Sequence, residues 1–322
     1  MRRGVTVLSG FLGSGKTTFL RAALRGRPDS AVIVNEYGEA GLGPGLDHAL
    51  VEMVAEAPAI VGGGCACCTK RDELARAMLH RLDLEERARS PRTSRLVIET
   101  SGLADPAPIL FTIQNDPVLR HHYAVEEVCV TVDAVNGWRH LDRQPESVKQ
   151  VAAADRLVVT KIDLAEDDAV DALVERLRRL NPAAGVDLAA GGEVVRTLRG
   201  PGAPAAPARR PAPTGDAGHE AAHVADVSAV SLGLDGPVDW GAFGVWLTML
   251  LHAHGEGVLR VKGVLEARDV GRVAVNGVQH VIHPPEHLAD ESIGRGLVVI
   301  GRGIDADLVR RSFGVFQSLE GE

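Results

Sequence analysis

Eight consecutive residues, Gly10-Phe11-Leu12-Gly13-Ser14-Gly15-Lys16-Thr17, fit the spacing GxxxxGK[ST]. Glycines at these points let backbone N–H groups curl around a phosphate, and a following helix adds its N-terminal dipole. Gly10, Gly13, Ser14 and Gly15 are the candidate phosphate contacts. Lys16 is placed to reach the β and γ oxygens, and Thr17 to ligate Mg²⁺ through its hydroxyl. Val5-Thr6-Val7-Leu8 reads as a strand before the loop, and Lys16 to Leu24 as a helix after it.

Two downstream strand ends complete a nucleotide site. Glu99 closes the apolar run Arg95-Leu96-Val97-Ile98 and opens Glu99-Thr100-Ser101-Gly102. A carboxylate there can hold Mg²⁺ through water, and the Gly102 N–H can sense a γ-phosphate. Thr160-Lys161-Ile162-Asp163 also follows a strand, at the carboxyl edge of the sheet where ligands bind. The Asp163 carboxylate can accept both N1–H and the exocyclic amine of guanine, a donor pair adenine lacks. It therefore selects GTP, with the Lys161 stem over the purine plane. Thr160 stands where such tetrapeptides usually carry Asn, so one side-chain amide is missing.

The third cluster is Gly62-Gly63-Gly64-Cys65-Ala66-Cys67-Cys68, which contains three of the four cysteines in 322 residues. It is expected between a strand and a helix beginning near Arg71. On an extended segment Cys65 and Cys67 point the same way, as two thiolates on one metal require. Cys68 joins them only if the chain turns, which the glycines permit. Thiolates favour Zn²⁺, with Co²⁺, Ni²⁺ and Cu⁺ as competitors, and exclude Mg²⁺ and Ca²⁺. Two other readings stay open from spacing alone, small core residues and a peroxide-sensitive switch. Cys129 falls inside an apolar strand and reads as a core residue.

Short apolar strands alternate with helical patterns from residue 4 to about 198, among them Ala31 to Val34, Val128 to Val132 and Arg156 to Thr160. Such alternation implies an α/β fold, a P-loop NTPase domain with a mostly parallel sheet. Residues 199–222 hold five prolines among Ala, Gly and Arg, and read as a linker. Residues 223–322 follow as a smaller α+β C-terminal domain. Its strands are expected at Val224–Ser231, Gly257–Glu266, Val273–Ile282 and Leu297–Gly301, and its helices at Asp239–His252 and Asp305–Gln317.

The formal net charge of −8 argues against a protein that coats nucleic acid or an anionic membrane. The apolar run after Met1-Arg2-Arg3 is broken at Ser9 and Gly10, so no signal sequence is expected. No run approaches the ~20 apolar residues of a membrane span. With so few cysteines the chain is expected in the reducing cytoplasm.

Taken together the motifs resemble the CobW-type GTPases, metal chaperones related to UreG and HypB. Gly10 to Thr18 is similar to the family's GFLGxGKTT, and Asn35 to Glu39 to its NEFGE. Gly64 to Cys68 matches GCxCC, and Glu99 to Pro106 matches ExxGxADP. Leu259 to Gly263 resembles its RxKG strand and Val299 to Arg302 its IGR segment. The resemblance adds Thr18 to the nucleotide contacts. It implies that Glu36 or Glu39 supplies a carboxylate to the transition metal or to Mg²⁺. The family's Asp after NEFGE is matched either by Gly43, which would lose it, or by Asp47 in a longer loop, and Asp47 is the reading taken.

The resemblance implies a low-turnover GTPase that binds a transition metal at the CxCC site, most consistently zinc. The GTP state would order the metal-holding loops, and hydrolysis would release the metal to a client metalloprotein. About 4 kcal/mol of extra metal affinity in that state gives a ~1000-fold shift, attainable with one added ligand. Cobalt insertion, for cobalamin synthesis or nitrile hydratase, is the alternative within the family. A nucleotide-binding metal or redox sensor without turnover is the alternative outside it. His121 and His122 are weak candidates for accessory ligands, and self-association is compatible with the family.

Overall fold

The structure is a computed structural model that describes residues 2–25, 27, 29–35, 50–53, 66–198, 227–234, 236–290 and 294–318. Its residues group into two compact units. The first comprises Met1–His140, Ala154–Leu173 and Val186–Leu198; the second comprises Leu141–Ala153, Val174–Gly185 and Arg199–Glu322.

The chain begins β1 (Arg3–Gly10), α1 (Lys16–Leu24), β2 (Ser30–Asn35), β3 (Leu50–Met53), α2 (Ala66–Glu86) and β4 (Arg95–Thr100). It continues α3 (Ala107–Asn115), α4 (Leu119–His122), β5 (Tyr123–Asp133), α5 (Gly137–Arg143), α6 (Pro145–Ala153) and β6 (Arg156–Thr160). A 3₁₀ turn (Ile162–Leu164), α7 (Asp167–Leu180), β7 (Gly185–Ala190) and β8 (Glu193–Leu198) follow. The strands form one sheet in the order β3-β2-β4-β1-β5-β6-β7-β8. β1 pairs in parallel with both β4 and β5, β2 with β3 and β4, and β5 with β6. The β7–β8 pair is antiparallel, at the end of a mostly parallel sheet.

The central strands are apolar on successive residues because both their faces are covered. Val5, Val7, Leu8, Ile33, Ile98, Val130, Leu157 and Val158 are all buried. Their carboxyl ends stop together, on Gly10, Thr100, Asp133 and Thr160, and this edge gathers the polar groups. Helix α7 carries Asp167 and Asp168 in its first turn and Arg178 and Arg179 in its last. That order of charge complements the helix dipole.

The second unit contains a second sheet, from β9 (Val227–Leu232), β10 (Val258–Ala267), β11 (Gly271–Val278), β12 (Val281–Ile282), β13 (Glu286–His287) and β14 (Gly296–Arg302). Its order is β12-β11-β10-β14-β9, with β13 on β11, and every pair is antiparallel. Helices α8 (Trp240–His254) and α9 (Ala306–Ser318) pack here, with Trp246 edge-on to Phe313 at 4.9 Å between ring centroids. Asp239 caps α8 by accepting from the Ala242 N–H at 2.7 Å. Within this unit the buried Arg260 donates to the Ala153 carbonyl at 3.0 Å, placing a cation at the C-terminus of α6.

Val273–Ile282, expected as one strand, is two. Gln279 takes a left-handed φ of 52°, which turns the chain between β11 and β12. Among the described residues no helix is long and apolar enough to cross a membrane.

Candidate functional site

The phosphate loop runs from the end of β1 to the start of α1. Gly10 has φ 144°, and a Cβ there would lie 2.3 Å from Thr131 Oγ1 and 2.6 Å from the Thr131 carbonyl. Only glycine lets β1 turn this close to β5. Lys16 is buried, and its ammonium donates to the carbonyls of Gly10 at 2.9 Å and Phe11 at 3.4 Å. The charge is thereby fixed over the centre of the loop. Ser14 serves the loop from within. Its hydroxyl lies 2.7 Å from Thr131 Oγ1, and its N–H donates to the Phe11 carbonyl at 3.0 Å. Thr18 is exposed in the first turn of α1.

Beside the loop, Thr17 Oγ1 donates to Glu99 Oε1 at 2.7 Å, and Glu99 is completely buried. A hydroxyl and a buried carboxylate in contact at a helix N-terminus form a hard-oxygen donor set, which suits Mg²⁺. Gly102 follows directly. A Cβ at that position would lie 2.8 Å from the Leu12 Cα, so Gly102 is pressed against the phosphate loop. Both expectations for the β4 end thus lie within the same few residues of space.

The β6 end meets the loop from the other side. Thr160 Oγ1 donates to the Ser14 carbonyl at 2.7 Å and lies 3.3 Å from the Val132 carbonyl. Thr160 therefore ties the sheet to the loop with its hydroxyl, in place of the missing amide. Lys161 Nζ donates to the Gly13 carbonyl at 2.7 Å and to Asp133 Oδ2 at 2.8 Å. Asp163 lies in the 3₁₀ turn and is exposed.

Asp133 was not singled out from the sequence, yet it organises this corner. Besides Lys161 it accepts from the Val135 N–H at 2.8 Å and from the Asn136 N–H and side-chain amide at 3.2 Å each. Burial pushes its carboxyl up, but the Lys161 and Asn136 bonds and the two backbone N–H groups outweigh that and hold it below the usual range. The available signal was an Asp closing the apolar strand Val128–Val132, the pattern that marked Glu99. His140 of α5 packs on Phe11 of the loop, with ring centroids 4.6 Å apart. Burial lowers the His140 imidazole from its ordinary range; Asp133 opposes the shift, and Arg139 and Lys161 add to it.

Comparison with known proteins decides the lineage of this site. Residues 4–187 match the family described as CobW/HypB/UreG, nucleotide-binding domain. Residues 227–317 match the Cobalamin synthesis protein cobW C-terminal domain. The chain belongs to the CobW/HypB/UreG family. Among its relatives is the zinc chaperone YjiA of Escherichia coli, 32% identical over 96% of this chain and 97% of that protein. The zinc-regulated GTPase metalloprotein activator 1 of Schizosaccharomyces pombe is 32% identical over 55% of this chain and 43% of that protein. The crystal structure of Zn(II)-bound YjiA GTPase from E. coli is similar with a TM-score of 0.69 at 26% identity, covering 99% of this chain and all of that one.

The CobW-type cysteine segment differs from its sequence-based placement. Helix α2 begins at Ala66 rather than near Arg71, so Cys67 and Cys68 lie in its first turn and not on an extended segment. Cys65, Glu36, Glu39, Gly43 and Asp47 lie outside the described residues. Cys129 is buried, and burial pushes its thiol up to about 12, as befits a core residue. The His121 and His122 rings meet edge-on at 5.0 Å. Among the described residues no group of three or more His, Cys, Asp or Glu is placed to hold a metal.

Proposed function

We propose that this protein hydrolyses GTP and uses the nucleotide state to control binding of zinc, its cargo, and its transfer to a client metalloprotein. The observation that carries the reading is the phosphate loop with Thr17 on Glu99, in a chain that matches a zinc chaperone over nearly its whole length. The relatives' names favour zinc over cobalt. The cysteine segment Cys65, Cys67 and Cys68 is the proposed thiolate site, with Glu36 or Glu39 as a further ligand.

The spacing of the phosphate loop and the contacts of Lys16 support the nucleotide reading. Lys16 is the residue that reaches the β and γ oxygens in a loop of this spacing, and the backbone N–H groups of such a loop bind the phosphates. Asp163 and Lys161 bind guanine, Asp163 by two hydrogen bonds and Lys161 by its stem. Thr17 and Glu99 are the residues that would hold Mg²⁺, which supplies charge neutralisation at the β and γ oxygens when bound. Gly102, against Leu12, is placed to read the γ-phosphate. Asp47 is the proposed switch carboxylate. The link from nucleotide to cargo is the chain itself, since the stretch from the end of β2 into the first turn of α2 carries Glu36, Asp47 and the three cysteines.

The test is phosphate release from GTP with Mg²⁺ and zinc. Release above a Lys16→Ala control is expected; turnover equal to that control overturns the enzymatic reading.

A further inference from the structure

The layer between α1 and the sheet holds Thr17 against Glu99 at its upper edge, and it continues downward. Side chains alternate along a strand, so Arg95 and Val97 share the Glu99 face of β4. Register sets Val97 beside Thr6, Thr6 beside Glu127, and Cys129 beside both Leu8 and Arg156. Between these residues and the C-terminal half of α1 lies a cavity of about 390 Å³.

Its walls include Leu8, Phe19, Leu20, Leu24 and Val97. Its rim presents four guanidinium groups, Arg25, Arg27, Arg95 and Arg156, against two carboxylates, Glu127 and Glu193. Both carboxylates are engaged. Glu193 pairs with Arg25 at 2.6 Å, and Glu127 lies 3.7 Å from Arg156, which also bonds Asp187 at 2.6 Å. Arg27 and Arg95 form no side-chain ion pair among the described residues; the neighbouring Asp29 carboxylate accepts from the Ser94 hydroxyl. The cavity therefore has an apolar interior, with the guanidinium groups of Arg27 and Arg95 in its lining and outside any side-chain ion pair among the described residues.

We propose that this cavity is a second ligand site, for a small amphipathic anion with an apolar body and one carboxylate or sulfonate. Its volume falls in the range of about 300–1,000 Å³ typical of small-molecule sites, and apolar walls with a few convergent charges are their usual chemistry. The site is separate from the phosphate loop. Arg95 and Glu99 are four residues apart on β4, a distance of roughly 13 Å along the strand. Arg27 and Arg95 hold the anion, and the α1 side chains hold its apolar body.

The test uses the full chain saturated with GDP and Mg²⁺, titrated with 8-anilinonaphthalene-1-sulfonate as the probe. One saturable site is expected. The double variant Arg27→Glu with Arg95→Glu should weaken it at least tenfold, and Ala23→Trp, which puts an indole into the cavity, should abolish it. N-phenyl-1-naphthylamine, which lacks the sulfonate, should bind at least tenfold more weakly and ignore the charge reversal. Each variant is first checked for an unchanged unfolding midpoint and GDP affinity; should the double variant not fold, Ala23→Trp decides alone. Non-saturable binding, or binding equal in wild type and Ala23→Trp, overturns the proposal.

Discussion

Thr17 Oγ1 donates to Glu99 Oε1 at 2.7 Å, joining the first turn of α1 to the end of β4 across 82 positions of sequence. Neither residue can be replaced without disturbing the other, because the Glu99 carboxylate is wholly buried. Glu99→Gln keeps the shape and a hydrogen-bond acceptor but removes the charge. GTP hydrolysis should then fall on the order of a hundredfold, the usual cost of losing one preorganised electrostatic group. Nucleotide binding without Mg²⁺ should change only a few-fold. Single-turnover phosphate release and GDP titration with EDTA separate the two.

Thr160 is a tie to the phosphate loop through the Ser14 carbonyl. Thr160→Val keeps the shape and strands that buried acceptor, at a cost of about 1–3 kcal/mol. Thr160→Ser keeps the hydroxyl and should stay near wild type. Urea unfolding midpoints for the pair check this, and equal midpoints would remove the tie from the account.

Asp163 lies exposed beyond β6, where a base can reach it. Guanine presents an amine at C2 and xanthine a carbonyl. Asp163→Asn should therefore lower affinity for GDP by at least tenfold and raise that for xanthosine diphosphate. Competition titration reads both, and an unchanged preference for guanine would sink the assignment.

His140 has a folded-state pKa lowered by burial, so the folded protein favours neutral imidazole. The stability this gives is present above the unfolded value of about 6.5 and is lost as pH falls below it. Wild type should lose stability between pH 7 and pH 5.5 more steeply than His140→Gln. Urea unfolding at several pH values tests it, with parallel slopes as the contrary result.

Much of this was legible in the residues because the chemistry dictates them. The phosphate loop needs Gly10 where β1 touches β5, and no other residue fits there. Glu99 and Asp163 announced themselves by ending or following apolar strands. Asp133 ends a strand in the same way, but an Asp before a turn is so common that only its bonds to Lys161 and Asn136 reveal its part. The short strands β7 and β8 escaped because Asp187-Leu188-Ala189-Ala190 is rich in small residues, and Val194 and Val195 are both exposed at the sheet edge. The early start of α2 was hidden by Cys67 and Cys68, which carry no helical period of their own. C-terminal strands and helices were recovered within a few residues, since β10 and β14 are long apolar runs between clear turns.

In the proposed mechanism, nucleotide state controls cargo binding. A nucleotide can shift metal affinity only through a difference in coupling between the two sites. Zinc titration of the full chain with a non-hydrolysable GTP analogue, with GDP and without nucleotide measures that difference directly. Affinity tighter by about 1000-fold is expected with the GTP analogue, equivalent to roughly 4 kcal/mol, and its loss in Cys65→Ser with Cys67→Ser. Equal zinc affinity in all three states would contradict it.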